Sequence, residues 1–90
     1  MLDYEITGSF NKDIKLMEKR KKDIPLLRNV MRMLIQEIPL PPKYENHPLR
    51  GKYTGKWECH VEPDWLLVYR INKAERKIIF NRTGSHSDLF

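Results

Sequence analysis

Cysteine is almost absent: Cys59 stands alone, so no internal disulfide can form, a usage that suits a reducing compartment. No stretch approaches the roughly 20 apolar residues that cross a bilayer. The opening Met-Leu-Asp-Tyr-Glu-Ile lacks the basic and apolar regions of a signal peptide. A cytoplasmic protein with no membrane partner is therefore expected. Glycine numbers only four, and none sits in a phosphate-cradling loop pattern. There is no C-x-x-C or H-x-x-x-H pair for a metal and no Gly-x-Ser-x-Gly elbow for a serine hydrolase. Repeats and low-complexity tracts are lacking as well.

The chain has 90 residues, which predicts a single domain spanning 1–90. Hydrophobic residues make up 40%, too many for a disordered chain and enough for a modest core. Lys and Arg number 17 against 12 Asp and Glu, leaving a net charge of +5. That excess favours an anionic partner such as nucleic acid, an acidic protein or a membrane surface.

Residues 2–7 alternate, with Leu2, Tyr4 and Ile6 on one face, and predict a short strand. Gly8-Ser9 breaks it, and Ser9 can cap a helix from Phe10 to about Lys22 whose apolar face is Phe10, Ile14 and Met17. A second helix is expected from Asp23, its cap, with Pro25 tolerated in the first turn. Its stripe is Leu27, Val30, Met31, Leu34 and Ile38, and Pro39, Pro41 and Pro42 should end it. Residues 39–56 read as a long connection, too long for idle wiring in a chain this short. Three strands follow: 57–62, with Trp57, Cys59 and Val61 opposite Glu58, His60 and Glu62; 65–71, nearly all apolar; and 76–83. Residues 85–90 could form one helical turn. The expected fold is α+β, in the order β-α-α-β-β-β, with two helices on one face of a mostly antiparallel sheet.

All three histidines, His47, His60 and His86, fall after the helices and beside polar or turn residues. Imidazole suits acid and base work near neutrality. Asp64 follows His60 across a turn, and Arg82 precedes His86 by four residues. Metal-free cleavage of RNA needs such a set. One group takes the ribose 2′-proton, another protonates the 5′-oxygen, and a cation stabilises the phosphorane. Each residue also has a plainer reading. A lone loop histidine is commonly structural, Asp64 can be a turn former, and Trp57 and Trp65 are ordinary core residues. Lys19 to Lys22 can be a solvated helix end, and Arg82 a surface strand residue. As metal ligands His47, Cys59, His60, Asp64 and His86 are poorly spaced, and Cys59 and His60 point to opposite faces of a strand. No metal and no cofactor are expected.

Three blocks taken together are distinctive: His47-Pro48-Leu49-x-Gly51, then Cys59-His60-Val61-Glu62-Pro63-Asp64-Trp65, then Arg82-Thr83-Gly84-Ser85-His86-Ser87-x-Leu89-Phe90. With them the whole chain resembles the YafQ family of bacterial toxins, within the RelE/ParE superfamily of type II toxin–antitoxin systems. The resemblance implies a ribosome-dependent endoribonuclease that cuts mRNA in the A site, favours adenine-rich codons and needs no metal. It places the active site at His47, His60, Asp64, Arg82, His86 and Phe90, with Trp65 beside them. On that basis His86 is the general acid, Asp64 or His60 the base, and Arg82 the phosphate ligand. Phe90 would stack on a base, and His47 would touch substrate or orient a neighbour. Lys12, Lys15, Lys19, Arg20, Lys21 and Lys22 would meet ribosomal phosphates, which position without reading sequence. The resemblance also implies a cognate antitoxin with an acidic, partly disordered segment. With Phe90 as the final residue, a free carboxylate would lie near the phosphate site, so extension or deletion there is expected to alter activity. Three rivals are a ParE-like toxin that binds DNA gyrase without catalysis, a plain basic nucleic-acid-binding module, and a metal nuclease, which would lose activity in chelator.

Overall fold

In the computed structural model, which describes residues 1–90, the chain runs β1 (Asp3–Ile6), α1 (Gly8–Lys19), α2 (Ile24–Ile35), β2 (His47–Pro48), β3 (Trp57–Glu62), β4 (Trp65–Asn72), β5 (Lys77–Gly84) and α3 (His86–Leu89). The strands form one sheet in the order β1-β5-β4-β3-β2. Only the β1–β5 pair is parallel. The expected α+β order holds, with one addition. The long connection contributes β2, a two-residue edge strand whose His47 pairs with Glu58 and Pro48 with Trp57. Two short 3₁₀ turns, Pro42–Tyr44 and Gly51–Tyr53, flank it.

Periodicity explains the core. Phe10 and Met17 from α1 and Leu27, Val30 and Leu34 from α2 pack on Cys59, Trp65, Leu67, Tyr69, Ile78 and Phe80 of the sheet. Phe10 and Phe80 meet with ring centroids 5.9 Å apart. Tyr4 departs from the expected apolar face: it is exposed, on an edge strand where cover runs out.

The helix ends also differ from expectation. Thr7, not Ser9, caps α1, because the helical turn already includes Gly8. The Thr7 hydroxyl accepts from the Phe10 N–H at 3.0 Å and donates to the Asn81 carbonyl at 2.9 Å, tying the cap to β5. Asp23 caps α2 as expected, accepting from the Leu26 N–H. Neither helix runs to the expected end, because Lys21 and Glu37 each adopt a left-handed φ of 59°. The Lys22 N–H then reaches the Met17 carbonyl and the Ile38 N–H reaches Met33, closing each helix before any proline.

One irregularity positions the site. Val68 pairs with Arg82 while Tyr69 pairs with Phe80, so Asn81 is an extra residue on β5. Without it Arg82 would share the core face of Phe80, since side chains two apart point the same way. The bulge takes Arg82 off the core face of β5 and puts Thr83 inside, fully buried. His47, Glu58, Val68 and Arg82 thereby form one row across four strands, with His60, Leu66 and Gly84 in the next.

Candidate active site

The face of the sheet turned away from α1 and α2 collects the polar residues. His60, in β3, is bracketed by the other two histidines. The His47 and His60 rings lie 6.4 Å apart between centroids, and the His60 and His86 rings 5.9 Å. Strand pairing brings in His47, and the tight end of β5 brings in His86. At that end a Cβ on Gly84 would come within 2.9 Å of the Asp88 carboxylate, so only glycine lets α3 fold back so closely. Ser85 caps α3 in a reciprocal box with Asp88, which fixes where His86 starts.

Each imidazole has its Nδ1 hydrogen committed. His47 Nδ1 donates to the Glu45 carbonyl at 2.6 Å and His60 Nδ1 to the Pro63 carbonyl at 3.1 Å. His86 Nδ1 donates to Asp64 Oδ1 at 2.8 Å, and the His86 backbone N–H meets the same oxygen at 3.1 Å. These partners select one tautomer and leave the three Nε2 atoms for other work. The two bonds from His86 hold the Asp64 carboxyl below the usual carboxylate range. Asp64 therefore anchors His86 on the turn between β3 and β4.

Glu58 belongs to this cluster and was not singled out from the sequence. It is buried, and its Oε1 lies 3.6 Å from His60 Nε2 and 3.7 Å from His47 Nε2. Strand alternation already placed it on the face of His60. Glu45 adds a second carboxylate 3.7 Å from His60 Nδ1.

Arg82 reaches sideways to α1. Its Nε donates to Asp13 Oδ2 at 2.7 Å and its Nη2 to Oδ1 at 3.1 Å. This contact raises the guanidinium pKa above its ordinary value. Phe90 packs edge-on against Tyr53, centroids 5.2 Å apart, so the tail closes on the loop after β2. Trp65 is placed differently from a substrate-contacting residue. It is fully buried, its indole N–H donating to Thr83 Oγ1 at 2.9 Å, and Thr83 Oγ1 donates to the Leu66 carbonyl at 2.7 Å.

The basic set divides. Lys12, Lys15, Lys19 and Lys21 are exposed. Arg20 is instead committed within the chain, donating two bonds to Asp88 at 2.6 and 2.9 Å. That fork, with the Ser85 N–H, keeps the Asp88 carboxyl far below its ordinary range. Lys22 lies 3.6 Å from Glu62 and over the Trp65 ring.

A family model described as "Bacterial toxin of type II toxin-antitoxin system, YafQ" matches residues 2–90. The mRNA interferase toxin YafQ of Escherichia coli K12 is 44% identical over 89 residues, covering 98% of this chain and 95% of the relative. The YafQ chain in a crystal structure of the E. coli DinJ–YafQ complex superposes with a TM-score of 0.91 at 43% identity, covering 100% of this chain and 99% of that one. A metal-bound toxin from Helicobacter pylori superposes at 0.94 with 47% identity over the full length of both. Here the His60 ring lies 6.4 Å from that of His47 and 5.9 Å from that of His86, and no group of three His, Cys, Asp or Glu side chains is arranged to hold a metal ion.

Proposed function

This chain belongs to the YafQ family of type II toxin–antitoxin toxins, and from that premise we propose that it is an mRNA interferase, a ribosome-dependent endoribonuclease that cleaves mRNA in the A site. The observation that carries the proposal is the Asp64–His86 dyad set 5.9 Å from His60. With Nδ1–H held by Asp64, His86 presents Nε2 as general acid. Asp64, already bound twice, acts as its anchor rather than as the base, which leaves His60 to accept the ribose 2′-proton, with Glu58 and His47 behind it. The 2′-oxygen attacks phosphorus and the 5′-oxygen leaves with the proton from His86. The products are a 2′,3′-cyclic phosphate and a 5′-hydroxyl. This route uses side-chain acid–base chemistry and calls for no metal.

Arg82 would bind the scissile phosphate, and Phe90, braced by Tyr53, would stack on a base. Lys12, Lys15, Lys19 and Lys21 are free to face ribosomal phosphates. Arg20 and Lys22 serve within the fold, and Trp65 supports Thr83 from inside. The E. coli relative was solved in complex with DinJ, and an antitoxin with an acidic segment is the partner assigned here. A ribosomal substrate places the protein in the cytoplasm. A toxin that merely bound gyrase would have no use for the dyad.

Ribosomes stalled with an adenine-rich A-site codon, treated with protein and with chelator at a level that spares ribosomal magnesium, test the proposal by mapping RNA ends. Cleavage within the codon, lost in His86→Ala and absent on naked RNA, is expected. Cleavage that survives in His86→Ala would refute the dyad. No cleavage by a protein that still arrests growth would favour the gyrase reading.

A further inference from the structure

We propose that Asp13 of α1 is a positioning residue for the reaction, fixing the guanidinium of Arg82 for its contact with the scissile phosphate. The inference rests on the mRNA-cleavage reading and extends it to the buried face of α1, opposite the exposed Lys12, Lys15 and Lys19. Asp13 is one of three buried polar residues in the chain, and it lies on the α1 face otherwise made of Phe10 and Met17. A carboxylate in such a place is costly unless its oxygens are fully engaged. Here they are: Arg82 Nε and Nη2 occupy both oxygens, and the Thr83 backbone N–H adds a third bond to Oδ2 at 3.0 Å.

The geometry does more than hold α1 to β5. Asp13 takes one edge of the guanidinium and leaves the Nη1–Nη2 edge as an intact fork, the arrangement that grips two phosphate oxygens. Arg82 is a long side chain at the free end of β5, past the last β1 partner Phe80, so no neighbouring strand restrains it on that side. The Asp13 fork removes that freedom before substrate arrives. The bond to Thr83 N–H fixes the backbone of the next residue at the same time. Asp13, Arg82, Thr83 and Trp65 thus form one chain of hydrogen bonds from the core to the site.

The test is single-turnover cleavage on programmed ribosomes by wild type, Asp13→Asn, Arg82→Ala and the double variant, below the melting temperature of each. Binding to ribosomes carrying a 2′-deoxy codon is measured alongside. Asn keeps an oxygen for Thr83 but cannot engage both guanidinium donors. The expected result is a roughly 10- to 100-fold lower rate constant at saturation for Asp13→Asn, the scale of a misplaced group. Binding should stay within about twofold, and the double variant should be no slower than Arg82→Ala. A wild-type rate in Asp13→Asn, or losses that multiply in the double variant, would overturn the proposal. Should Asp13→Asn fail to fold, Arg82→Lys carries the test. Lysine keeps the charge but offers no fork, so a comparable loss is expected and a wild-type rate overturns the argument. Wild-type protein that cleaves nothing would bring down the cleavage reading and this inference together, an outcome distinct from failure of the Asp13 step alone.

Discussion

Trp65→Phe separates a buried support from a base-stacking surface. The substitution removes the indole N–H that meets Thr83 Oγ1 at 2.9 Å in a fully buried setting. Losing one such bond costs about 1 kcal/mol, since Thr83 still donates to the Leu66 carbonyl. Phe is roughly 40 Å³ smaller, and at about 24 cal/mol per Å³ the cavity adds about 1 kcal/mol more. With some lost burial, the total is about 2–3 kcal/mol, a fall in melting temperature of roughly 10–20 °C for a chain of this size. Thermal unfolding followed by circular dichroism measures it. Single-turnover cleavage, well below both transitions, should drop by less than about tenfold with substrate affinity unchanged, because β4–β5 pairing still holds Thr83 near Arg82. An unchanged melting temperature combined with a large loss of affinity would refute this reasoning and return Trp65 to the substrate surface.

Two further outcomes follow from the charged and thiol groups. The Asp88 carboxyl has its folded pKa lowered by Arg20, so its stabilising contribution is full above the unfolded value near 3.8 and is lost as pH falls from there through the folded pKa. Acid titration of stability should therefore be less steep below about pH 4 in Arg20→Gln than in wild type; equal slopes would show that the fork carries no linkage. Burial, reinforced by Glu58, pushes the Cys59 thiol up to about 12. Native protein at pH 8 should react with a thiol reagent only as fast as it unfolds, and rapid labelling would contradict the packing.

Much of this architecture is written in local pattern. The Phe10–Met17 and Leu27–Leu34 stripes announce two helices, and alternation over 57–62 sets Glu58 and His60 on one face of β3. The Asp23 cap and the Pro63-Asp64 turn are read from single residues, because caps and turns are short-range chemistry. Asp13 could have been noticed too: it falls between Phe10 and Met17 on the helical repeat, where a charged residue needs a partner. The partner itself is not local. Arg82 lies 69 positions away, and Asp64 meets His86 across 22.

Such contacts depend on how strands register and where helices dock, which periodicity does not encode. The extra residue at Asn81 is the clearest case, since one added position reverses which of Arg82 and Thr83 faces the core. The same holds for β2. Its two residues carry no strand pattern, and only pairing with β3 makes His47 a neighbour of Glu58 and His60. Residue types and their order established the chemistry available to this protein. Packing alone decided that Arg20 serves Asp88, that Trp65 works from within, and that a helix lends the site its only buried aspartate.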